Sequence, residues 1–349
     1  MFYMYFVFLL CCWKCWYVAY GAGRRAPFEY TTVHCRDNND KPVDWWYIYK
    51  PPSTPYMKRG LNYSYISADN VGRWQTSDRF LTGTGKSMLD FTLTPLYTTA
   101  AVTQTEFGSA STSNGILMAD EVGGVYLAHD VPHFPDLTKK RPSFPISERH
   151  EGHLIVCLSV DLLVLNELAV SLKQSGANFT EVQRPGKILS LLTGWNDFNQ
   201  PINRVPSMLD FVSKYKTVRA QLLVRRPGER YCLYKFFAKQ KGVILDVYGQ
   251  SRGSFCQNNY GVRSINTISV KYDTDDIQYI NSKNDNAKFA VSTAAHWQKK
   301  GSGPAQYWSC IGTLDSNDLT ERGGTLLCLD SFEIWVSFDN LKGTEPECR

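Results

Sequence analysis

Five runs of this chain are apolar almost without a break, and that continuity constrains the fold more than any other feature. Val43–Lys50, Gly115–Val131, His153–Leu165, Arg219–Arg226 and Lys241–Gly249 read as strands. A strand with one wet face alternates polar and apolar residues, so several of these runs predict strands buried on both faces. Three other segments, Met88–Ala100, Glu181–Trp195 and Ser207–Lys216, carry apolar residues three and four apart and read as helices. Buried strands need covering layers, and mixed with helices they imply an α/β architecture. At 349 residues, 43% hydrophobic and 20% charged, the chain has material for a large core and is not a disordered or coiled-coil sequence. Proline-rich breaks at His133–Glu148 and Asn196–Pro206 interrupt the pattern. The second sets the expected division into residues 24–200 and 201–349.

The first 23 residues stand apart. An apolar run from Phe2 to Trp13 precedes small residues at Ala19, Gly21, Ala22 and Gly23, the pattern of a signal peptide. Lys14 leaves the run too short to span a bilayer, although a signal anchor is the competing reading. The expected product is secreted and extracellular, with a lysosome-like compartment as the alternative. Beyond the signal, seven cysteines remain, so at most three bridges form and one thiol is left over. Sequons at Asn62 and Asn178 fit the same route. A net charge of +5 permits an anionic partner without marking a dedicated nucleic-acid-coating protein.

Several local motifs lack the context their chemistry needs. Thr82-Gly83-Thr84-Gly85-Lys86-Ser87 ends like a phosphate-binding loop, but its first glycine is replaced by Phe80. Gly249-Gln250-Ser251-Arg252-Gly253 matches a nucleophile elbow, yet no helical periodicity follows. His150-Glu151-Gly152-His153 and Asp273-Thr274-Asp275-Asp276 lack metal-site spacing. No metal or cofactor is expected.

Longer segments carry a resemblance. Pro42–Lys50, Gly60–Tyr63 with Gly72-Arg73-Trp74, and Thr94–Tyr97 contribute to it, as does Gly123–Pro135 with its His129 and His133. Trp308-Ser309-Cys310 and Glu321–Cys328 complete it. Together they resemble the deoxyribonuclease II family, in the secreted branch expanded in parasitic nematodes. The resemblance implies a phospholipase D-like fold, two pseudo-symmetric α/β halves with mixed sheets sandwiched by helices, sharing one central site. It implies metal-free cleavage of DNA at acidic pH to 3′-phosphate ends. One histidine attacks phosphorus, the other delivers a proton to the leaving oxygen, and lysines neutralise the phosphate. Each half supplies one His-x-Lys motif. It also implies the pairs Cys35–Cys157, Cys256–Cys348 and Cys310–Cys328, leaving Cys232 as the unbridged thiol.

The motifs themselves are degenerate. Before Gly115, Thr112 stands where histidine belongs and Asn114 where lysine belongs, and no His or Lys occurs between Lys86 and His129. The second motif is read at Ala295-His296-Trp297-Gln298, with His296 kept as acid, base or nucleophile and Gln298 in place of lysine. Asp315 stands where asparagine would help hold phosphate. His129 either frames the site or substitutes as nucleophile. Thr112, Asn114 and Gln298 are expected to face a solvated cleft. The expected function is a pseudo-nuclease that binds DNA or another polyanion, through Lys299, Lys300, Arg322, Trp297 and Trp308, or binds host proteins. The alternative is an active acid endonuclease with a rearranged site. No membrane partner is expected.

Overall fold

Two eight-stranded sheets take up the apolar runs. The computed structural model describes residues 33–53, 59–97, 101–106, 111–183, 208–249, 256–257, 261–271, 277–293, 306–314 and 320–343. The segment expected to be a signal peptide, residues 1–23, lies outside them.

The first part of the chain forms β1 (Cys35–Arg36), β2 (Pro42–Val43), β3 (Trp45–Lys50), β4 (Ser64–Ser67), β5 (Asn70–Thr76) and helix α1 (Met88–Leu93). It continues through β6 (Ala101–Glu106), β7 (Asn114–Ala119), β8 (Gly124–His129), β9 (His153–Val160), α2 (Leu162–Gln174) and β10 (Asn178–Gln183). The second part forms β11 (Met208–Val212), β12 (Arg219–Arg225), α3 (Leu233–Lys241), β13 (Leu245–Tyr248), β14 (Cys256–Gln257) and β15 (Val262–Ile265). After these come β16 (Thr267–Lys271), β17 (Ile277–Asn281), β18 (Phe289–Ser292), β19 (Trp308–Gly312), β20 (Gly324–Asp330) and α4 (Phe332–Asp339).

The strand orders are β10-β6-β7-β8-β9-β3-β4-β5 and β11-β12-β20-β19-β18-β13-β15-β14. Within them β6-β7-β8-β9-β3 and β13-β18-β19-β20-β12 repeat one arrangement, in the same chain order and antiparallel throughout. The second sheet is mixed because β13 also pairs in parallel with β15.

Burial explains the unbroken apolar runs. In β3, Tyr47 and Tyr49 face a core shared by both sheets, while Trp46 and Ile48 face a second cluster with Met88 and Leu89 of α1. The shared core joins Tyr126 and Leu158 to Leu222, Phe289 and Leu327. Two helices fill this middle layer. Helix α2 packs on β7 and β8 and also on β11 and β12, whereas α4 packs on β18, β19 and β20 and also on β5. Helix α3 covers the far face of the second sheet through Phe237 and Leu233.

Several sequence expectations change. His153–Leu165 is a strand only to Val160, after which Asp161 starts helix α2. Ser207–Lys216 is not a helix: Met208–Val212 pairs with β12 and then turns. Asp44 holds that turn, accepting from Ser213 Oγ at 2.5 Å and from the Tyr215 and Thr217 N–H groups at 2.9 and 3.1 Å. A carboxylate supplied from another element outweighs weak helical periodicity. Met88–Ala100 is α-helical only through Leu93 and tightens to a 3-10 turn over Thr94–Tyr97, where Pro95 lacks the N–H to continue it. Glu181–Gln183 ends strand β10, and the rest of that expected helix lies outside the described residues. Helices α3 and α4 were not anticipated.

Cys35 pairs with Cys157, tying β1 to β9, and Cys310 pairs with Cys328 between β19 and β20. Cys232 is buried before α3 and forms neither bridge. The Cys256–Cys348 pairing lies outside the described side chains. No helix among the described residues is long and apolar enough to cross a membrane.

The two bridges close loops of 122 and 18 residues by sequence separation. Chain-entropy reasoning predicts that Cys35→Ala with Cys157→Ala loses about 5 kcal/mol, against about 3 kcal/mol for Cys310→Ala with Cys328→Ala. Urea midpoints of the two double variants check the order.

Candidate functional site

The residues before β7 leave the first sheet to join the second. Ser111 bridges Gly323 in parallel, and the Thr112 N–H donates to Gly323 O at 3.0 Å. The Thr112 hydroxyl lies 3.2 Å from both Gly323 O and Thr313 Oγ1. The residues before β18 make the converse crossing, for the Asn286 N–H donates to Gly152 O at 3.1 Å. Gly152 precedes Cys157 of β9 by five residues, and Gly323 precedes Cys328 of β20 by five. The register agrees: Asn114 pairs with His129 at the end of β8, while Lys288 O accepts from the N–H of Gly312 at the end of β19. Topology therefore matches Thr112-Ser113-Asn114 with Asn286-Ala287-Lys288.

That match bears on the second motif. The segment read for it, Ala295-His296-Trp297-Gln298, lies outside the described residues, as do Lys299, Lys300 and Asp315. The segment in the matched place holds asparagine where histidine would stand and retains a lysine. A search by residue type passes over it, because it contains no histidine. Lys288 is half-buried, with Nζ 3.3 Å from Asn286 O.

Tight packing leaves no room for a Cβ at either accepting glycine. A methyl group on Gly323 would stand 1.8 Å from Ser175 O, and one on Gly152 would stand 2.1 Å from Asp285 Oδ1. Thr112 and Asn114 are each only 6% exposed, which corrects the expectation that they face a solvated cleft. Thr112 Oγ1 packs so closely over Gly324 that an added Cβ would lie 2.9 Å away.

Buried titratable groups surround the Gly152 crossing. Asp285 accepts from Tyr49 of one half at 2.6 Å, from Tyr248 of the other at 2.9 Å, and from the Ala287 N–H. Burial raises its pKa, against those hydrogen bonds. Lys50 donates to the carbonyls of Pro51, Arg149 and Glu151, and burial pulls its pKa down to about 8. His153 has Nδ1 3.1 Å from Asp130 Oδ1 and Nε2 3.4 Å from Glu148 Oε2. Burial opposes its charge, but the two carboxylates outweigh burial and raise its pKa.

His129 is buried, and its Nδ1 accepts from the Val131 N–H at 3.2 Å. Burial pushes its pKa down to about 4. The neutral ring then carries its proton on Nε2, and the Nδ1 lone pair is occupied. Neither nitrogen presents a lone pair for attack on phosphorus.

The other expected contacts divide. Arg322 reaches the junction, with Nη2 3.5 Å from Ser111 O. Trp308 does not offer a face for stacking. It is 5% exposed, lies edge-on to Phe237 beneath Lys241, and donates to Gln306 Oε1. The glycine loop at 82–87 is filled by its own chain, since Gly85 N–H and Ser87 Oγ engage Asp90. Asn178 is exposed, whereas Asn62 is half-buried.

The comparisons with known proteins cover nearly the whole chain. A family model described as Deoxyribonuclease II matches residues 34–348. The chain is 25% identical to deoxyribonuclease-2-alpha of Sus scrofa, over 90% of this chain and 91% of that protein. It is 23% identical to deoxyribonuclease-2-beta of Homo sapiens, over 91% and 92%. It is 21% identical to plancitoxin-1 of Acanthaster planci, over 90% and 92%.

Two outcomes follow from the geometry. Gly323→Ala forces a Cβ against backbone and loses about 3 kcal/mol, whereas Gly83→Ala meets no atom and shows only the smaller strain of its positive φ. Thermal melting compares them. For His129, the folded pKa lies below the unfolded value, so the unfolded state takes up its proton first as pH falls. Stability is lost between about pH 6.5 and pH 4, by about 3 kcal/mol. His129→Gln, which keeps an acceptor for Val131, flattens this dependence. Urea midpoints at pH 7 and pH 4.5 measure the difference.

Proposed function

This chain belongs to the deoxyribonuclease II family, and from that premise we propose that it is a pseudo-nuclease on a phospholipase D-like scaffold. The observation that carries the reading is the reciprocal crossing. It matches Thr112-x-Asn114 with Asn286-x-Lys288, so neither matched segment carries an imidazole. An amide does not titrate, and a threonine hydroxyl without an adjacent base is a poor nucleophile. His129 does not substitute, being neutral, buried and hydrogen-bonded through Nδ1. Losing nucleophile, acid and one phosphate lysine removes effects each worth about a hundredfold or more.

The protein then acts by binding. Lys288 and Arg322 stand at the two crossings and suit the phosphates of DNA or another polyanion. The N-terminal apolar run, the two bridges and the exposed Asn178 sequon support a secreted, glycosylated product. A host protein as partner and an acid endonuclease that employs His296 are the other outcomes of the test.

At pH 5 in EDTA, purified protein is expected to nick plasmid no faster than a mock preparation. Cleavage abolished by His296→Ala would overturn the reading. DNA binding is expected to weaken with salt, with a log–log slope of roughly −2 if two phosphates are neutralised. Binding insensitive to salt, or to Lys288→Ala with Arg322→Ala, would turn attention to a protein partner. Rebuilding needs Thr112→His, Asn114→Lys and Asn286→His together, with Leu314→Ala to make room beside Gly324. Single substitutions stay inert, while the combination recovers acid nicking that a Thr112→Gln counterpart lacks.

A further inference from the structure

Away from the crossings, Arg59, Arg141 and Arg149 line one cavity of about 430 Å³, with Thr84, Ser143 and Phe80. No carboxylate lines it among the described residues. None of the three guanidinium groups has a described ion pair, and Arg149 Nε is buried without a hydrogen-bond acceptor there. Unpaired buried donors of this kind are uncommon in folded proteins and call for a partner.

The arginines are held in place. Arg59 lies over the ring of Phe80 at 4.8 Å. Gly60, at φ +58°, brings the chain so close to Arg149 that an added Cβ would overlap Arg149 O. That same carbonyl accepts from buried Lys50 Nζ at 3.0 Å. Thr82 Oγ1 accepts from the Phe144 N–H at 3.0 Å, joining the glycine loop to the segment that carries Arg141 and Ser143. The loop's N–H groups serve Asp90, so it presents the Thr84 side chain to the cavity instead of a phosphate cradle.

We propose that this groove is a second anion site, specific for a phosphate monoester. Guanidinium groups bind oxyanions in pairs of parallel hydrogen bonds. Three of them without a carboxylate favour a dianion over the single charge of a phosphodiester or a sulfate ester. An adjoining cavity of about 700 Å³ shares Ser143, Phe144 and Arg149, leaving space for the group that carries the phosphate. None of these residues belongs to the matched segments at 112–114 and 286–288, so the site stands whether or not the chain cleaves DNA.

Calorimetric titration of the full chain at low salt and pH 7.5 tests this with thymidine 3′-monophosphate, glucose 6-phosphate and glucose 6-sulfate. At least one phosphate is expected to bind, and the sulfate at least fivefold more weakly. The tighter of the two phosphates identifies a nucleotide or a sugar as the carrier. Arg59→Ala with Arg149→Gln is expected to weaken binding at least tenfold at an unchanged melting temperature. Should that variant not fold, exposed Arg141→Ala is expected to lose at least threefold. Absence of binding by both phosphates, equal binding of the sulfate, or affinity unchanged in the variants overturns the proposal.

Discussion

Two backbone hydrogen bonds between the halves govern how this molecule is built. Thr112 N–H to Gly323 O carries the first half onto β20, and Asn286 N–H to Gly152 O carries the second half onto β9. Each acceptor is the glycine just before a strand, where a Cβ would meet Ser175 O at Gly323 or the buried Asp285 carboxylate at Gly152. The segments so positioned are those that open β7 and β18. Strand crossing therefore sets each of these segments against the other sheet's strand, before any side chain is considered.

The middle layer supports the same arrangement. Helices α2 and α4 each follow the last strand of a five-strand repeat and each lie against both sheets. Tyr49 and Tyr248, one from each half, donate to the single carboxyl of Asp285. Asp285 immediately precedes Asn286, so one network holds both the junction and the matched segment. A buried carboxyl satisfied by three donors tolerates removal from water far better than an unpaired one. The network thus fixes Asn286 and Lys288 beside the Gly152 crossing. Thr112 and Asn114, at the other crossing, are accommodated as packed, buried polar residues.

Buried titratable groups, at the junction and elsewhere in the fold, respond differently to acid. Falling pH favours the fold through His153, whose charged form is held between Asp130 and Glu148, and through Asp285, whose neutral form is favoured by burial. His129 and His34 oppose it, both pushed down to about 4 chiefly by burial. Burial and pairing thus set the sign of each group's contribution as pH falls.

The strands inside the five apolar runs were legible in the sequence, because a run such as Val43–Lys50 reports burial on both faces directly. The family was legible too, through Gly123–Pro135 and Glu321–Cys328. Tertiary structure alone decided the rest. Whether Met208–Val212 forms strand or helix depended on Asp44, which is distant in the chain. Whether Trp308 stacks on a ligand or packs under α3 depended on which face of β19 the helix covers. The place matched to Thr112 could not be found by residue type, since Asn286-Ala287-Lys288 contains no histidine, and His296 lies outside the described residues. Local periodicity encodes which side of an element is buried. Correspondence between halves is encoded only in strand order and register, which exist once the chain has folded.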